Sequence, residues 1–595
     1  MWKLYHGWYI LATLLPALAG STTTQQVLGD VSQCGRPNVV FILTDDQDAH
    51  LGSLEYMPFV RKHLLDEGTY FNKHYCTTAV CCPSRATLWT GKASHNTNIT
   101  DVNPPYGGYP KFVDQGFNEN YLPVWLQQAG YNSYYTGKLF NVHTVTNYNS
   151  PEPAGFTNYD FLLDPFTYNY LNSTFQRKGE NPKSYEGYYS TDVMSQKAQS
   201  LLQDAVLAEE PFFLTIAPIA PHGNIVMNGS ALDKNPVFEH SAPIPAKRHE
   251  LLFGDVQVPR SANFNPGKPS GANWVLDLPQ QTQENVEYND HYHRQRIRSL
   301  QAVDELVDDI FAKLEEYGIL ENTYVFYSSD NGFHIGQHRL QPGKSCGYEE
   351  DINIPLIVRG PGVAANQTTE IVTTHTDLAP TFFDILGIPT REDFDGNAIP
   401  ITPDGINEAS QRRREHVAVE YWGYAGGEGI FDRTLHENNT YKAIRISGDG
   451  YKFYYSIWCN NEHELYDMDT DPGQMNNLLS VPSSMDTTKS SPSAAIIVAG
   501  YPLNKIVSRL DSLLLVLKSC KGAVCREPWK ALHPKRDVNT LKEALSSKFD
   551  DFYQEQQTRV AFDYCWNGYV PEAEGSMWEK DGLFFRDGLP WHVWT

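Results

Sequence analysis

Positive charge is scarce in this chain. Its 595 residues carry 47 Lys and Arg against 71 Asp and Glu, a formal net charge of -24. That balance excludes nucleic acid as the main partner and weakly repels anionic substrates, so chemistry on an anion has to rest on a local cluster of cations. Internal repeats are absent. With 13% aromatic and 20% charged residues the composition is globular, without a disordered signature. No segment beyond the N-terminus is long and apolar enough to span a membrane. Cysteine is sparse and odd in number: Cys34, Cys76, Cys81, Cys82, Cys346, Cys459, Cys520, Cys525 and Cys565. In an oxidising compartment an odd set leaves at least one cysteine unpaired or chemically different.

The N-terminus does carry an apolar run. It starts behind a single positive charge at Lys3, is broken by Pro16 and ends in the small-residue pattern Ala17-Leu18-Ala19. This is the layout of a secretory signal peptide over residues 1–19; the run is short of the ~20 residues a membrane span needs. Sequons at Asn98, Asn172, Asn228, Asn366 and Asn438 agree with a secreted, extracellular glycoprotein, with retention in a vacuole or cell wall left open. Cys520 and Cys525, in "SCKGAVC", read as a local disulfide bond.

Between Asn38 and Thr44 a continuous apolar run with β-branched residues suits a strand buried on both faces of a parallel sheet. It ends abruptly in Asp45, Asp46 and Asp48. The same grammar returns where Tyr324 to Ser329 run into Asp330-Asn331-Gly332. Just before lies a clear helix: Ile297, Leu300, Val303, Leu306, Val307, Ile310, Phe311 and Leu314 recur at spacings of mostly three and four, and Gly318 closes it. Helix then strand, repeated, predicts a doubly wound α/β domain with its site beyond the carboxyl ends of the strands. Phe212–Ile216 and Pro355–Val358 are further strand candidates. The stretches 144–187 and 238–290, rich in Pro, Asn, Tyr and Gly, read as long insertions that shape a cleft. From about Thr434 alternating segments joined by Gly-containing turns predict a smaller α+β domain, giving expected domains of 35–430 and 431–595. "SSMDTTKSSPS" around Thr487 reads as a loop.

Asp45, Asp46, Asp330 and Asn331 are hard oxygen donors at two strand ends, a set that suits Ca²⁺ or Mg²⁺ and, with an amide among carboxylates, leans toward Ca²⁺. Either cluster alone is also compatible with a solvated turn or helix cap; the repetition favours metal. Candidate cations for an anionic substrate are Arg85, Lys92, Lys138 and Lys344. His222, after a strand-like run and prolines, is placed to donate a proton to a leaving group. His334 and His338, just past Asp330, are further candidates. The remaining oddity is "TTAVCCPSRATLWTGK": vicinal Cys81 and Cys82 are poorly placed for an unstrained mutual bridge, so one of them has another task.

"CCPSRATLWTG" resembles the sulfatase signature, Cys followed by any residue, Pro-Ser-Arg, three residues, an apolar position and Thr-Gly. The resemblance runs on through "TDDQ", Gly137-Lys138, Pro221-His222, "SDNG", Lys344 and "ELYDMDTDPGQMNNL", covering about Pro37 to Leu479. It points to secreted fungal-type arylsulfatases and glucosamine-6-sulfatases. It implies an alkaline-phosphatase-like fold, with a large doubly wound mixed or parallel sheet and a smaller C-terminal α+β domain. It also implies that Cys81 is oxidised to Cα-formylglycine (3-oxoalanine) by a formylglycine-generating enzyme during maturation. Setting Cys81 aside leaves an even eight cysteines, which favours the assignment. By the same resemblance Asp45, Asp46, Asp330, Asn331 and the modified Cys81 hold one Ca²⁺, Arg85 steadies the hydrated aldehyde, Lys138 and Lys344 bind sulfate oxygens, and His222 assists the leaving group. The diol attacks sulfur, releases the alcohol or phenol, and expels sulfate through its second hydroxyl.

One position departs from the pattern. Many sulfatases carry His two residues after the Lys matching Lys138; Phe140 stands here, with Asn141 and His143 as possible substitutes. The expected substrate is a sulfate ester of an aryl group, or of a 6-sulfated hexosamine, with no nucleic-acid or membrane partner. Phosphoester or phosphonate hydrolysis and a secreted binder of sulfated ligands that keeps its Cys81 thiol are the competing readings.

Overall fold

The alternation of β1 decides the architecture. In this computed structural model, which describes residues 35–228, 237–412, 414–431, 434–480 and 496–584, Asn38–Thr44 is fully buried. Val39, Phe41 and Leu43 enter one core, Val40 and Ile42 another. A strand with apolar residues on both faces requires a layer of helices on each side. The expected signal peptide, Cys34 and the loop around Thr487 lie outside the described residues.

The main sheet takes its strands from across the chain: β1 (Asn38–Thr44), β2 (Thr69–Phe71), β3 (Asn132–Lys138), β4 (Asn158–Leu162), β5 (Thr174–Arg177), β6 (Lys183–Ser184), β7 (Phe212–Ala217), β8 (Thr323–Ser329), β9 (Leu356–Arg359) and β10 (Gln367–Thr369). Their spatial order is β10-β2-β9-β8-β1-β7-β3-β4-β5-β6. The centre, β8-β1-β7-β3-β4, is parallel. Antiparallel β9 on one side and β5 on the other make the sheet mixed. Gly137 marks the tightest approach inside it: a Cβ there would stand 2.1 Å from the Ala217 carbonyl oxygen, so only glycine lets β3 lie against β7.

Five of the helices frame the two cores: α1 (Cys81–Thr90), α2 (Ser190–Leu207), α3 (Gln283–Glu316), α4 (Leu378–Ile385) and, on the second sheet, α5 (Leu503–Leu517). Ala86, Trp89, Leu378 and Phe382 of α1 and α4 pack on the Phe41 face. Met194, Leu201, Leu300, Val303 and Ile310 of α2 and α3 pack on the Ile42 face. The helix expected around Ile297 starts fourteen positions earlier, at Gln283, where Thr282 and Asn285 form a capping box. Its first two turns, Gln283 to Asp290, are polar and hid in a stretch read as an insertion. The other expected insertion, 144–187, supplies β4, β5 and β6 of the sheet edge, its strand signal masked by Asn, Tyr and a buried Asp160 that is paired with Arg177 and Lys197.

A second, antiparallel sheet follows: β11 (His416–Tyr421), β12 (Tyr441–Gly448), β13 (Tyr451–Trp458) and β14 (His463–Asp467). It begins at His416, ahead of the break expected at 431. One face carries α5; the other packs Tyr441, Tyr454 and Trp458 against Tyr75, Val80 and Ile352. The bridge expected between Cys520 and Cys525 is present, and Cys459 pairs with Cys565. Cys76, Cys81, Cys82 and Cys346 are buried thiols. The even remainder of eight therefore does not reflect complete pairing. No helix among the described residues is long and apolar enough to cross a membrane.

Candidate active site

Helix α1 aims the signature at the sheet. Val80 is extended, the helix opens at Cys81, and Pro83 sits in the first turn, where its missing N–H has no partner to lose. Gly91 ends it at φ 65°, and a Cβ there would stand 2.6 Å from the Phe394 ring. All ten residues of α1 are buried. Ser84 donates to the carbonyl of Asp330 and lies 2.8 Å from His375 Nδ1, which fastens the helix to the end of β8.

The carboxylates arrive from β1 and β8, paired in register from Asn38–Thr323 to Thr44–Ser329. Asp46 adopts φ 67°, a left-handed conformation that L-residues enter at a cost and that gathers at functional sites. Its N–H donates to Asp330 Oδ1 at 3.1 Å. Arg296 of α3 supports the turn, donating to Asp46 O at 2.6 Å and to Asp48 Oδ1 at 3.1 Å.

Every cation except Lys92 reaches this centre. Arg85 donates to Asp330 Oδ2 at 2.8 Å and Asp45 Oδ2 at 3.1 Å, fully buried. Lys138 bonds Asp45 and stands 3.7 Å from Asp330. Lys344 Nζ lies 2.6 and 2.8 Å from the two oxygens of Asp46, 3.4 Å from Cys81 Sγ and 3.3 Å from Glu428 Oε1. Cys81 Sγ is 3.5 Å from Asp45 Oδ1. His222 Nδ1 is fixed 2.8 Å from Gly223 O, leaving Nε2 3.7 Å from Asp46 Oδ2. Lys92 instead pairs with Asp393 at the surface.

Burial alone pushes the Asp45 carboxyl up, but Lys138 and Arg85 outweigh it and hold the group below its usual range. Burial pushes the Cys81 thiol well up, aided by Asp45. Burial disfavours the ammonium of Lys344, yet Asp46 keeps it charged well beyond the ordinary range. The core of the site thus sets three cations, Arg85, Lys138 and Lys344, against Asp45, Asp46 and Asp330, with Glu428 as a fourth carboxylate on Lys344.

Ligating atoms of Asp45, Asp46, Cys81 and His222 lie within 4.8 Å of one another. Asn331 donates to Asp46 Oδ1 at 2.8 Å, while its own Oδ1 is buried without a partner among the described residues. An orphaned amide oxygen among carboxylates is a fitting donor for a hard divalent ion.

The position of the absent histidine is answered by a side chain the sequence did not flag. Phe140 belongs to the apolar core, and His143 is buried against Tyr109 and Phe161, its pKa pushed down to about 4 by burial. Asn141 donates to the hydroxyl of Tyr168 at 2.8 Å. The Tyr168 ring lies 4.8 Å from Lys138 Nζ and stacks on His222 at 4.0 Å. No spacing rule links 141 to 168; only the β3–β4 pairing brings them together. Glu428 was likewise invisible, reaching the site from the loop after β11. His334 and His338 stay outside the centre: His334 pairs with Asp351 at 2.7 Å, and His338 with Ser270 at 2.8 Å.

The Sulfatase family pattern matches residues 37–388, and that of the C-terminal part of N-sulphoglucosamine sulphohydrolase matches 336–492. An arylsulfatase of Volvox carteri is 38% identical over 542 residues, covering 87% of this chain and 80% of its own. A human N-acetylglucosamine-6-sulfatase is 31% identical, covering 84% and 88%. Among solved structures, a protein in complex with its substrate D-glucosamine-2-N,6-O-disulfate superposes with a TM-score of 0.58 at 25% identity, covering 75% of this chain and 93% of its own. The matched span contains the signature helix, both carboxylate-bearing strand ends and the cations around them, and the chain belongs to the sulfatase family of sulfuric ester hydrolases.

Proposed function

We propose that this protein is an arylsulfatase, hydrolysing aryl sulfate esters to a phenol and sulfate. The observation that carries the reading is the convergence on Cys81 of Asp45, Lys138 and Lys344 in a buried, charge-balanced centre. Cys81 is the residue converted to formylglycine by a formylglycine-generating enzyme. Asp45, Asp46, Asp330, Asn331 and the modified residue 81 would hold one divalent ion, and the amide among the carboxylates favours Ca²⁺. Formylglycine hydrate supplies one hydroxyl to attack sulfur and a second through which sulfate departs. The ion supplies a lowered pKa for the attacking hydroxyl.

The chain's own groups do the rest. Arg85, bound to both Asp45 and Asp330, fixes the carboxylates and faces the same pocket as the diol. Lys138 and Lys344, paired here with Asp45 and Asp46, would turn to the sulfate oxygens, where charge grows in the transition state, once a divalent ion shared those carboxylates. His222, its Nδ1 tied to a carbonyl, keeps Nε2 toward the site to protonate the departing oxygen. Arg85, Lys138 and Lys344 nearly offset Asp45, Asp46, Asp330 and Glu428, so a bound divalent ion would leave the centre net positive and open to an anion despite the chain's overall charge.

Glycan desulfation is the second reading, favoured by a cavity beside Lys344 in which Gln280, Gln281 and His334 stand among the apolar Trp274, Leu278 and Phe431, a mixed lining that suits a sugar ring. Secretion is supported by the two disulfides and by the exposure of Asn366 and Asn438. The deciding experiment is mass spectrometry of the Cys81 peptide from protein made in a eukaryotic secretory host, together with turnover of p-nitrophenyl sulfate and p-nitrophenyl phosphate. An aldehyde and a preference for the sulfate are expected. An unmodified thiol in a host that converts other sulfatases, or a preference for the phosphate, overturns the reading.

A further inference from the structure

Four carboxylates meet the cations Arg85, Lys138 and Lys344 at the reaction centre, and Glu428 is the poorest matched of them. Asp45 and Asp330 share Arg85 and Lys138, while Lys344 Nζ stands 2.6 and 2.8 Å from the two oxygens of Asp46. Glu428 Oε1 reaches that same ammonium at 3.3 Å, behind Asp46, and its Oε2 is buried without a partner among the described residues. Most of its charge is therefore unanswered.

The charge is also held in place. The Glu428 N–H donates at 2.7 Å to the carbonyl of Pro342, in the segment that leads to Lys344, and Ala425 and His436 exchange backbone hydrogen bonds at 3.1 and 2.8 Å. On the far side a Cβ at Gly429 would stand 2.9 Å from the Tyr288 ring, so the chain runs close past it. Burial pushes the Glu428 carboxyl up, but Lys344, His222 and His240 outweigh it and hold the group below its usual range. At neutral pH it is a carboxylate. Nor does it belong to the candidate ion cluster of Asp45, Asp46, Cys81 and His222, so an ion held there would leave it charged.

Charge is what separates the anions this centre could meet. A sulfate ester carries one negative charge; a phosphate monoester at neutral pH carries nearly two, and the sulfate left after hydrolysis carries two. A ligand oxygen hydrogen-bonded to Lys344 lies within about 6 Å of Glu428 Oε1, because both flank one ammonium. At that range in a partly buried site each ligand charge is opposed by roughly tenfold to a hundredfold in binding. A dianion meets that opposition twice.

Resting on the sulfatase reading, we propose that Glu428 is a specificity-determining residue whose charge favours monoanionic sulfate esters over dianions. It excludes phosphate monoesters and speeds the release of product sulfate, and it does so through its field, without touching the ligand.

The test is calorimetric binding of inorganic sulfate and of methanesulfonate, which offers the same three oxygens with one charge fewer, to the metal-loaded parent, Glu428→Gln and Glu428→Asp at neutral pH. Turnover of p-nitrophenyl sulfate, p-nitrophenyl phosphate and p-nitrophenyl methylphosphonate is followed in parallel. Glu428→Gln is expected to tighten sulfate relative to methanesulfonate by roughly tenfold or more, and to raise the phosphate-to-sulfate ratio of kcat/KM by a similar factor. The methylphosphonate, a monoanion built on phosphorus, is expected to keep step with the sulfate ester, and Glu428→Asp, which keeps the charge, to stay near the parent. Both ratios unchanged in folded Glu428→Gln overturn the inference. So does an equal loss for every ligand, which makes Glu428 a mere prop for Lys344, and so does a methylphosphonate that rises with the phosphate. If Glu428→Gln does not fold, Glu428→Ala decides by the same ratios. A parent that binds these anions without hydrolysing p-nitrophenyl sulfate refutes the arylsulfatase reading, and the binding ratio alone then decides the role of Glu428.

Discussion

Glu415 gives the sharpest prediction on the fold. Only 6% exposed, it stands where the second sheet meets the C-terminal helices. Burial pushes its pKa up from 4.5 to about 7, against the opposing pull of Tyr451, the Leu541 N–H and Trp529. The fold therefore prefers the protonated acid. A carboxyl whose folded pKa is raised contributes its full stabilisation below the unfolded value, near 4.5, and loses it as pH rises toward 7. The loss is about 3 kcal/mol across that window.

The Glu415→Gln variant isolates this effect. An amide keeps the geometry: its oxygen accepts from Trp529 Nε1, now 3.1 Å from Oε1, and from the Leu541 N–H at 2.7 Å. Its nitrogen donates to the Tyr451 hydroxyl, which bonds Oε2 in the parent. The assay is urea unfolding at half-unit steps from pH 4.5 to 8. The variant is expected to gain about 3 kcal/mol on the parent between the two ends, with the change centred between pH 5 and 7. A flat difference curve, or one in which the parent gains as pH rises, refutes a desolvated Glu415.

Three further outcomes are expected. Chelation abolishes turnover of p-nitrophenyl sulfate, and Ca²⁺ restores it better than Mg²⁺; because Asp45, Asp46 and Asp330 each keep a buried cation as partner without the ion, the thermal midpoint of the chelated protein stays within a few degrees of the parent. Tyr168→Leu removes the ring that packs on Lys138 and His222 and lowers kcat/KM by roughly 5- to 30-fold, while Tyr168→Phe, which keeps the ring, loses clearly less; equal losses place the effect in the hydroxyl and its bond to Asn141. Replacing Cys459 and Cys565 together by Ser removes a bridge across a separation of 106 residues and lowers stability by about 2–5 kcal/mol in denaturant unfolding; unaltered midpoints in oxidising buffer show that the bridge does not form.

What could be read from the sequence was whatever a short stretch states by itself. "NVVFILTDD" and "VFYSSDNG" declare buried strands ending in oxygen donors, and the structure sets them side by side in exact-length register from Asn38 to Thr44. "CCPSRATLWTG" fixes its helix through Pro83 and Gly91. What could not be read is whatever depends on strand order. Asn141 and Tyr168 meet because β3 and β4 pair, and Glu428 arrives on a loop of the second sheet. Charged and polar residues also misled: the first two turns of α3 read as insertion, and Asp160 hides β4. Lys92 looks no different from Lys138 in sequence, and only the run of β3 into the sheet's centre separates a buried ammonium from a surface one.

That distinction explains how an acidic protein can host an anion site. Lys138, Arg85 and Lys344 are buried with carboxylates as immediate partners, so bulk solvent and distant charge screen them little. A surface lysine such as Lys92 is worth little to a sulfate ester in water. The carboxylates make burial of the cations tolerable, and under the proposed function a divalent ion on the carboxylates would free those same cations for the substrate. The paired strand ends and the signature helix are therefore one electrostatic device: removing a single member, as in Arg85→Met, leaves Asp330 with only the more distant Lys138 at 3.7 Å. An uncompensated buried charge of this kind costs about 3–5 kcal/mol, so that variant is a lesion of the fold as much as of the chemistry, whereas Cys81→Ala, which removes no charge from the balance, is a lesion of the chemistry alone.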